Sequence, residues 1–236
     1  MTPESKAVHS HARPKYVGRE GAGFSSAVRQ RVDQYFRESG LPRRGGREIR
    51  TKTVVLFALY IGSYLLLLSN WFTPGGTLLV ALAFGALNVL LVFNVAHDAA
   101  HNALFNDRRL NRLLTYTFNL VGANAYLWDI THNQIHHAYP NVGDYDGDIH
   151  QQAPLIRVSP TVPRRWYHRF QPFYAPLAYM TYSLYLVFVK DYQDIGILPK
   201  QGSRLLEGRD HSRWRYVEFI LWKAGYYGLT VVVPFL

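Results

Sequence analysis

The sequence predicts an all-α integral membrane protein, built as a transmembrane helical hairpin plus a third span, with interfacial helices and a cytosolic histidine-rich cap. Three observations predict it. Residues 53–72 and 77–96 are each twenty residues without a charged side chain, and about twenty apolar residues span the hydrocarbon core of a bilayer. Residues 216–236 form a third apolar stretch, interrupted by Glu218 and Lys223. Finally, five of the ten histidines fall in two tight clusters, His97 and His101, then His132, His136 and His137, and each cluster follows an apolar run.

Composition narrows the classes further. The mean hydropathy of -0.11 averages apolar spans with polar segments. No cysteine is present, which excludes disulfides, thiolate iron–sulfur sites and cysteine zinc sites. The formal net charge is +10, and twelve of the 26 basic residues precede Thr53. Basic residues flanking a first span mark the cytoplasmic side and attract anionic lipid headgroups. No nucleic-acid recognition motif accompanies the charge, so no nucleic-acid partner is expected. Residues 1–52 lack the apolar core of a secretory signal.

The elements follow in order. Residues 1–23 are polar, basic and rich in Gly, Pro and Ser, the composition of a disordered segment. Residues 24–52 read as an amphipathic cytosolic helix and a basic linker, with Ser25 or Ser26 as the cap. Val28, Val32, Tyr35 and Phe36 make an apolar stripe opposite Arg29, Arg31 and Arg37. Such a helix lies on the membrane surface or packs on the protein's own cytosolic part; both fit. Residues 40–46 end it.

Residues 53–236 read as the membrane domain. The first span leaves the cytosol, residues 70–76 turn with Pro74 and two glycines, and the second span returns. Asn88 and Asn94 are polar residues within the second span, so they face protein rather than lipid. Asn94 either hydrogen-bonds a histidine of the first cluster or packs helices. Residues 113–128 are only sixteen and contain Thr115, Thr117, Asn119 and Asn124, so they are expected to lie in the interface rather than cross. That keeps both histidine clusters on one side. Residues 172–189 carry Pro172 and Pro176 near their start, and a crossing there would place six basic residues of 190–215 outside. A segment that dips into the interface and returns satisfies the charge bias, and residues 216–236 then form the third crossing.

At i, i+4 spacing on a helix, His97 and His101 stand one above the other, as do His132 and His136, with His137 on the neighbouring face. Neutral imidazole is the commonest metal ligand, and an imidazole-rich shell suits iron, zinc, copper or nickel. A zinc-protease pattern would need Glu where Asp98 stands. A pair of histidines alone is more often solvated surface; two clusters flanking an interfacial segment after a membrane hairpin point to a shared centre. Asp98 and Asp146 fit second-shell and structural roles equally, Asp144 and Asp148 less well. His150, His168 and His211 read as surface residues, and His9 and His11 belong to the tail.

HDAAH at 97–101 and HNQIHH at 132–137, continued by AYPNVGDYDGD, resemble the first two histidine boxes of the membrane fatty acid desaturase family. The run with Asn141, Gly143, Asp146 and Asp148 is most similar to the acyl-CoA and acyl-lipid front-end branch, the linoleoyl-CoA-desaturase-like members. SAVRQRVDQYF before the first span and QPFYAPLAYMTYSLYLVFVKDY after the second box resemble that branch too.

The resemblance implies a di-iron centre, two iron ions held by His97, His101, His132, His136 and His137, which uses dioxygen to remove hydrogen from an unactivated methylene. It implies an acyl-CoA or acyl-lipid substrate taken from the bilayer and a site facing the cytoplasm of a multi-pass protein. No fused haem domain is visible, so electrons are expected from a separate electron-transfer protein, ferredoxin-like or cytochrome-like. The family carries a third box near its C-terminus; no histidine follows His211 here, and the expectation is therefore a truncated form that is inactive alone. A related membrane di-iron hydroxylase and a non-catalytic membrane fragment are the alternatives.

Overall fold

The computed structural model describes residues 20–142, 145–147, 155–160, 162–198 and 211–236. The disorder expected over 1–23 falls mostly on residues 1–19, outside the described residues, as do His9, His11, Asp144, Asp148 and His150. All regular structure among the described residues is helical. The chain divides into two units, residues 1–43 and 44–236.

In the first unit, α1 (Glu20–Ser39) begins earlier than expected, so Ser25 and Ser26 lie inside it and neither caps it. Gly21 and Gly23 argue for coil at about 1 kcal/mol each relative to alanine. Once a helix is nucleated, however, each added residue gains a hydrogen bond, and weak formers at its end are carried along. Phe24, Val28, Val32 and Tyr35 are all exposed. Gly40, at φ +64°, ends the helix, and Arg43 folds back to pair with Asp33.

The second unit opens with the hairpin. α2 (Arg47–Leu68) starts six residues before Thr53 and ends before Phe72, because Arg47, Arg50 and Lys52 form helix readily and stay at its polar end. The turn uses Asn70 at φ +54°. Thr73 then caps α3 (Pro74–Leu91), accepting from the Gly76 amide at 3.3 Å, with Pro74 in the first turn. α3 runs on through a π-helical turn, Val92–Ala96, into α4 (His97–Ala100). Arg47–Leu68 and the continuous Pro74–Ala100 are the two described helices long and apolar enough to cross a membrane. Only 17% and 11% of their apolar windows are buried, whereas the core helix of a water-soluble protein would be mostly covered. Leu56, Leu91, Val95, Ala99 and Leu104 form the core between them. Gly45 is needed there, because its amide bonds Ala103 O at 3.1 Å and an added Cβ would fall 1.5 Å from the Leu104 carbonyl oxygen.

The two span asparagines resolve differently from a ligand contact. Asn88 donates to Phe84 O at 2.7 Å and Asn94 to Leu90 O at 2.9 Å. Asn94 Oδ1 also accepts from Lys52 Nζ at 3.1 Å, which ties α3 to α2. Of the two roles open to Asn94, helix packing is the one observed.

Residues 113–128 form no straight helix. α5 (Arg108–Thr115), α6 (Thr117–Leu120) and α7 (Ala125–Trp128) are short pieces. Three buried asparagines do the work of a missing helix ladder. Asn111 bonds both the amide and the carbonyl of Phe105, Asn119 accepts from Ala125 N, and Asn124 caps α7 through Leu127 N. The polarity that argued against a crossing is thus spent on buried backbone, as burial requires. Residues 172–189 are likewise broken, into α8 (Gln171–Met180) with Pro176 inside, α9 (Tyr182–Tyr185) and a π-helical turn, Leu186–Lys190, before α10 (Asp191–Asp194). No single unbroken α-helix runs through 172–189.

α11 (Arg213–Tyr227) is prolonged by a π-helical turn, Gly228–Val232, and a 3-10 turn, Val233–Phe235. Lys223 does not interrupt it. Its ammonium is buried, 2.9 Å from Asp191 and donating to Gly122 O at 2.7 Å and Val187 O at 3.0 Å. Gly122 sits at φ +89°, and a Cβ there would meet Tyr226 at 2.7 Å. Beside it, Lys190 pairs with Asp194 at 2.8 Å. Burial opposes the Lys190 charge, but Asp194 and then Asp191 outweigh it and hold the ammonium above its ordinary pKa. Removing one partner of such a pair strands the other. Lys223→Met should therefore destabilise the detergent-solubilised protein by about 3–5 kcal/mol, with part recovered when Asp191→Leu is added. Thermal unfolding of the two variants checks this; an unchanged single variant would mean the pair contributes nothing to the fold.

Candidate metal centre

The first histidine arm is the end of the second long helix. Its polypeptide stops just past His101: Asn102 takes φ +55°, its amide bonds Ala99 O at 2.9 Å, and the Ala103 amide bonds Asp98 O at 2.8 Å. This is a Schellman-type ending with asparagine at the left-handed position. It leaves His97 and His101 on the last turn with ring centroids 4.6 Å apart. Val95, Ala96 and Ala99 anchor the arm, fully buried or nearly so, and Ala96 packs with Phe118, Ala123 and Ala125.

The second arm departs from the expected α-helix. Asp129–His136 is π-helical, and the His137 amide bonds His132 O at 3.0 Å. Hydrogen bonds that skip five residues set position i+5 over position i. His137 therefore joins His132 directly, Nε2 to Nε2 at 3.2 Å, instead of sitting on a neighbouring face. His136 stays close as well, its ring 5.3 Å from that of His132. Asp129 clamps the wide turn by accepting from Asn133 Nδ2 and Gln134 Nε2, both at 2.9 Å. Sequence reading missed Asp129; only its i, i+4 relation to Asn133 signals it.

The arms meet. One ring nitrogen from each of His97, His101 and His132 lies within 4.8 Å of the others, and His101 and His137 rings approach to 4.8 Å. All five predicted histidines thus share one patch, with His132 touching the other four. Two imidazole nitrogens bound to one ion at about 2 Å stand roughly 3–4 Å apart, so the His132–His137 pair already has that spacing. Burial lowers the His132 pKa to about 4, helped by repulsion from His137, His97, His136 and His101. Burial likewise lowers that of His101, with His97 and His137 adding to it. Neutral rings offering lone pairs to one another are what a transition-metal centre requires. The donor set fits.

Behind His136 stands Asp146, almost fully buried. Both carboxylate oxygens lie 3.1 Å from His136 Nδ1, and the Asn141 amide donates to Oδ2 at 2.8 Å. Asn141 adopts φ +60° to aim that amide. A carboxylate on Nδ1 fixes the tautomer that presents Nε2 to an ion. Asp98 does not match this, since its oxygen is 3.7 Å from His97 Nδ1. Asn133 donates weakly to Ala100 O at 3.5 Å, linking the arms. Among the described residues, the two remaining histidines, His168 and His211, have partners outside the cluster. His211 Nδ1 meets Tyr126 OH at 2.9 Å. His168, expected at the surface, is buried, because its Nδ1 accepts from the Arg165 amide at 3.0 Å and closes a turn.

A cavity of about 370 Å³ opens beside His132, walled by Trp128, Thr131, Tyr179, Tyr182, Leu186 and Lys190. Trp128 stacks on the His132 ring at 4.8 Å, and its buried indole N–H has no hydrogen-bond partner. Nothing in the residue types marked Trp128 or Lys190 as part of the site: Trp128 lies one helical turn before His132, and Lys190 comes from an element remote from the boxes.

Comparison with known proteins agrees with this geometry. The sequence pattern of the fatty acid desaturase family matches residues 69–236. The chain belongs to that family. This desaturase-family chain is 34% identical over 198 residues to the sn-1 linoleoyl-lipid 6-desaturase of Synechocystis sp., covering 78% of the chain and 53% of that protein. It is 33% identical to acyl-lipid (8-3)-desaturase B of Dictyostelium discoideum, covering 96% of the chain and 48% of that protein. A third relative, the acyl-lipid (8-3)-desaturase of Physcomitrium patens, is 29% identical over 75% of the chain and 37% of its own length. The chain spans about half the length of the curated relatives it matches. No solved structure shows significant similarity to it.

Asp146 gives the site a sharp test. Asp146→Asn keeps the shape but removes the charge behind His136, and loss of such outer partners weakens metal binding by about 10–100-fold. Competition with a chromophoric chelator measures it. Affinity unchanged from the unsubstituted chain would mean that Asp146 only shapes the turn.

Proposed function

We propose that the protein is an oxygen-dependent acyl desaturase whose two iron ions are held by His97, His101, His132, His136 and His137, with electrons from a separate ferredoxin-like or cytochrome-like protein. The observation that carries the reading is the meeting of both histidine arms at the end of a lipid-length helix, beside a mostly apolar cavity. When bound, the iron pair supplies the oxidising power, drawn from dioxygen, that a saturated methylene needs. The chain's residues do the rest. Asp146 holds His136 in one tautomer. Asp129 and the Schellman ending lock the two backbone turns that aim the rings. Trp128, Tyr179, Tyr182 and Leu186 offer the acyl chain an apolar wall next to His132 and exclude water there; the volume is in the range of small-ligand sites, about 300–1,000 Å³.

The proposed topology places the N-terminus, both boxes and residues 200–215 on the cytoplasmic side of a multi-pass protein. The basic flank before α2 sets this orientation. α11 with its continuation is the third crossing. Its Val217, Ile220, Leu221 and Leu229 are exposed as lipid-facing residues should be, while Lys223 turns inward to Asp191.

Two measurements test the proposal. Single cysteines at Asn102 and Gly143, in a chain that has none, should label from the cytoplasmic side of intact vesicles; labelling from opposite sides would sink the shared centre. Fatty acid profiling of a host expressing the protein, alone and fused to the C-terminal half of the Synechocystis relative, should reveal a new double bond and no added oxygen. The bond should vanish in His136→Ala. A hydroxylated product would reassign the reaction, and turnover that survives His136→Ala would remove the centre from it.

A further inference from the structure

The loop that follows His101 is gripped by two basic elements. The Gly45 amide bonds Ala103 O at 3.1 Å, and the Arg50 guanidinium lies over the Phe105 ring at 5.9 Å. From α5, Asn111 bonds the Phe105 amide at 3.0 Å and its carbonyl at 2.7 Å. Ile49 of α2 and Leu114 of α5 pack on the core that holds Leu104. The start of α2 and α5 therefore converge on the end of the first histidine arm, where α5 packs against α4. We infer that the arginines exposed there, Arg44, Arg47, Arg50, Arg108, Arg109 and Arg112, dock an acidic one-electron carrier protein. The inference rests on the desaturase reading for the carrier's task; the docking itself is measurable without it.

The chemistry of the surface points to a partner rich in carboxylates. All six arginines are exposed, and among the described residues none of them pairs with a carboxylate. The acidic residues of 44–52 and 102–115 are Glu48 and Asp107. Asp107 is occupied as the cap of α5, accepting from the Arg109 amide at 2.7 Å. Unpaired charge of one sign steers an oppositely charged protein and fixes its orientation. Arginine suits this better than lysine, because its planar fork meets a carboxylate with two parallel hydrogen bonds.

Anionic lipid headgroups are the rival occupant, since basic residues flank membrane spans in any case. The layout of α5 favours the protein. At 3.6 residues per turn, Arg108, Arg109 and Arg112 share one side of the helix, and Leu110, Leu113 and Leu114 the other. Leu114 joins the core, while Leu110 and Leu113 are exposed. The leucine side is the one fit to meet lipid, and the arginines turn away from it. His101 is itself exposed at the rim of the histidine cluster, so a carrier seated on the arginines lies beside the centre it would reduce. Making one double bond takes two electrons and two protons from the acyl chain, two electrons from two reduced carriers and two protons from solvent, and dioxygen leaves as two waters. The carrier must dock, deliver one electron and depart twice per turnover. Small, charge-steered encounters of that kind exchange fast.

The test uses the full chain in phosphatidylcholine nanodiscs, with an acidic plant-type ferredoxin as the probe in biolayer interferometry. Ferredoxin should bind at low salt and weaken steeply as salt screens the charges, and a basic c-type cytochrome should not bind. At about 0.15 M salt, where charges act over about 8 Å, Arg108→Glu with Arg109→Glu should weaken ferredoxin binding tenfold or more. Both residues lie in the first turn of α5, where Glu favours the helix, so the fold is kept; unfolding temperatures verify this. Arg169→Glu with Arg213→Glu, the same charge change on other elements, should leave the affinity within threefold. His132→Ala should leave docking intact, so a failed desaturase reading and a failed docking surface are told apart. Full affinity in the Arg108/Arg109 variant, or an equal loss in the Arg169/Arg213 variant, would overturn the assignment. If the Arg108/Arg109 variant keeps ferredoxin but sheds phosphatidylglycerol in native mass spectrometry, the surface belongs to lipid headgroups and the inference fails.

Discussion

Lys223 carries one of the few charges placed where the proposed third crossing would meet lipid, and much of the second unit closes around it. Its ammonium reaches Asp191 on α10, the Val187 carbonyl on the turn before it, and the Gly122 carbonyl between α6 and α7. Two stretches that are far apart in sequence, around Gly122 and around Val187–Asp191, are thereby held to α11. A charge in hydrocarbon is expensive, and it is kept only where it finds a partner and serves a purpose. Here the partner is Asp191, and the purpose is positional. Gly122 leads into α7 and the second box, while Val187 and Asp191 are chain neighbours of Leu186 and Lys190, which wall the cavity beside His132. The pair therefore sets where the second histidine arm lies relative to that cavity. The glycine at 122 is part of the same constraint, since a side chain there would occupy the space of Tyr226 and Val187.

The two lipid-length helices, the break over 113–128 and the gathering of the five histidines were legible in the sequence, because each has a one-dimensional signature. Length without charge marks a long apolar helix, side-chain polarity marks a segment that breaks, and clustered imidazoles mark side chains that meet. The pairing within the second cluster was not legible. An i, i+4 count assumes an α-helix, whereas a single extra residue per turn moves the partner from His136 to His137. Nothing in the composition of DITHNQIH announces a π-helical stretch; it is stabilised by Asp129 reaching forward to Asn133 and Gln134, a side-chain arrangement visible only in three dimensions.

The acidic tail shows both outcomes in one motif. Asp98 and Asp146 stood level as partners for the boxes on residue type alone. Asp146 is ten residues beyond His136, so no helical periodicity relates them. A left-handed Asn141 and a turn bring the carboxylate back under the ring. Asp98 is the neighbour of His97 in sequence, and that adjacency points its side chain elsewhere on the helix, leaving 3.7 Å between them. Proximity along the chain was the misleading cue, and the closed turn the decisive one. His168 makes the same point: a lone histidine reads as surface until its backbone partner at Arg165 is seen.

The packing of the five imidazoles also bears on why they are together. His101 and His137 are exposed and the other three rings half-buried, and gathering polar rings returns little energy through mutual contact, since an aromatic pair contributes about 0.5–1.5 kcal/mol and burying an unpaired polar group costs about 1–3 kcal/mol. Protonation of the central ring is disfavoured too, because burial and four neighbouring rings hold the His132 pKa down to about 4. Neutral lone pairs facing one another at 3.2 Å are satisfied by a proton held between them or by a cation. A helix end that served only to pack would place such residues facing water and apart. This one gathers them from two distant elements, supports one with a buried carboxylate, and sets a tryptophan against the central ring. The free energy invested in that arrangement is recovered when an ion takes the lone pairs, since whatever binds only the folded state stabilises it. If the proposed centre holds its ions, folding and metal binding are coupled in this chain, and the buried Lys223–Asp191 pair belongs to that coupling together with the five histidines.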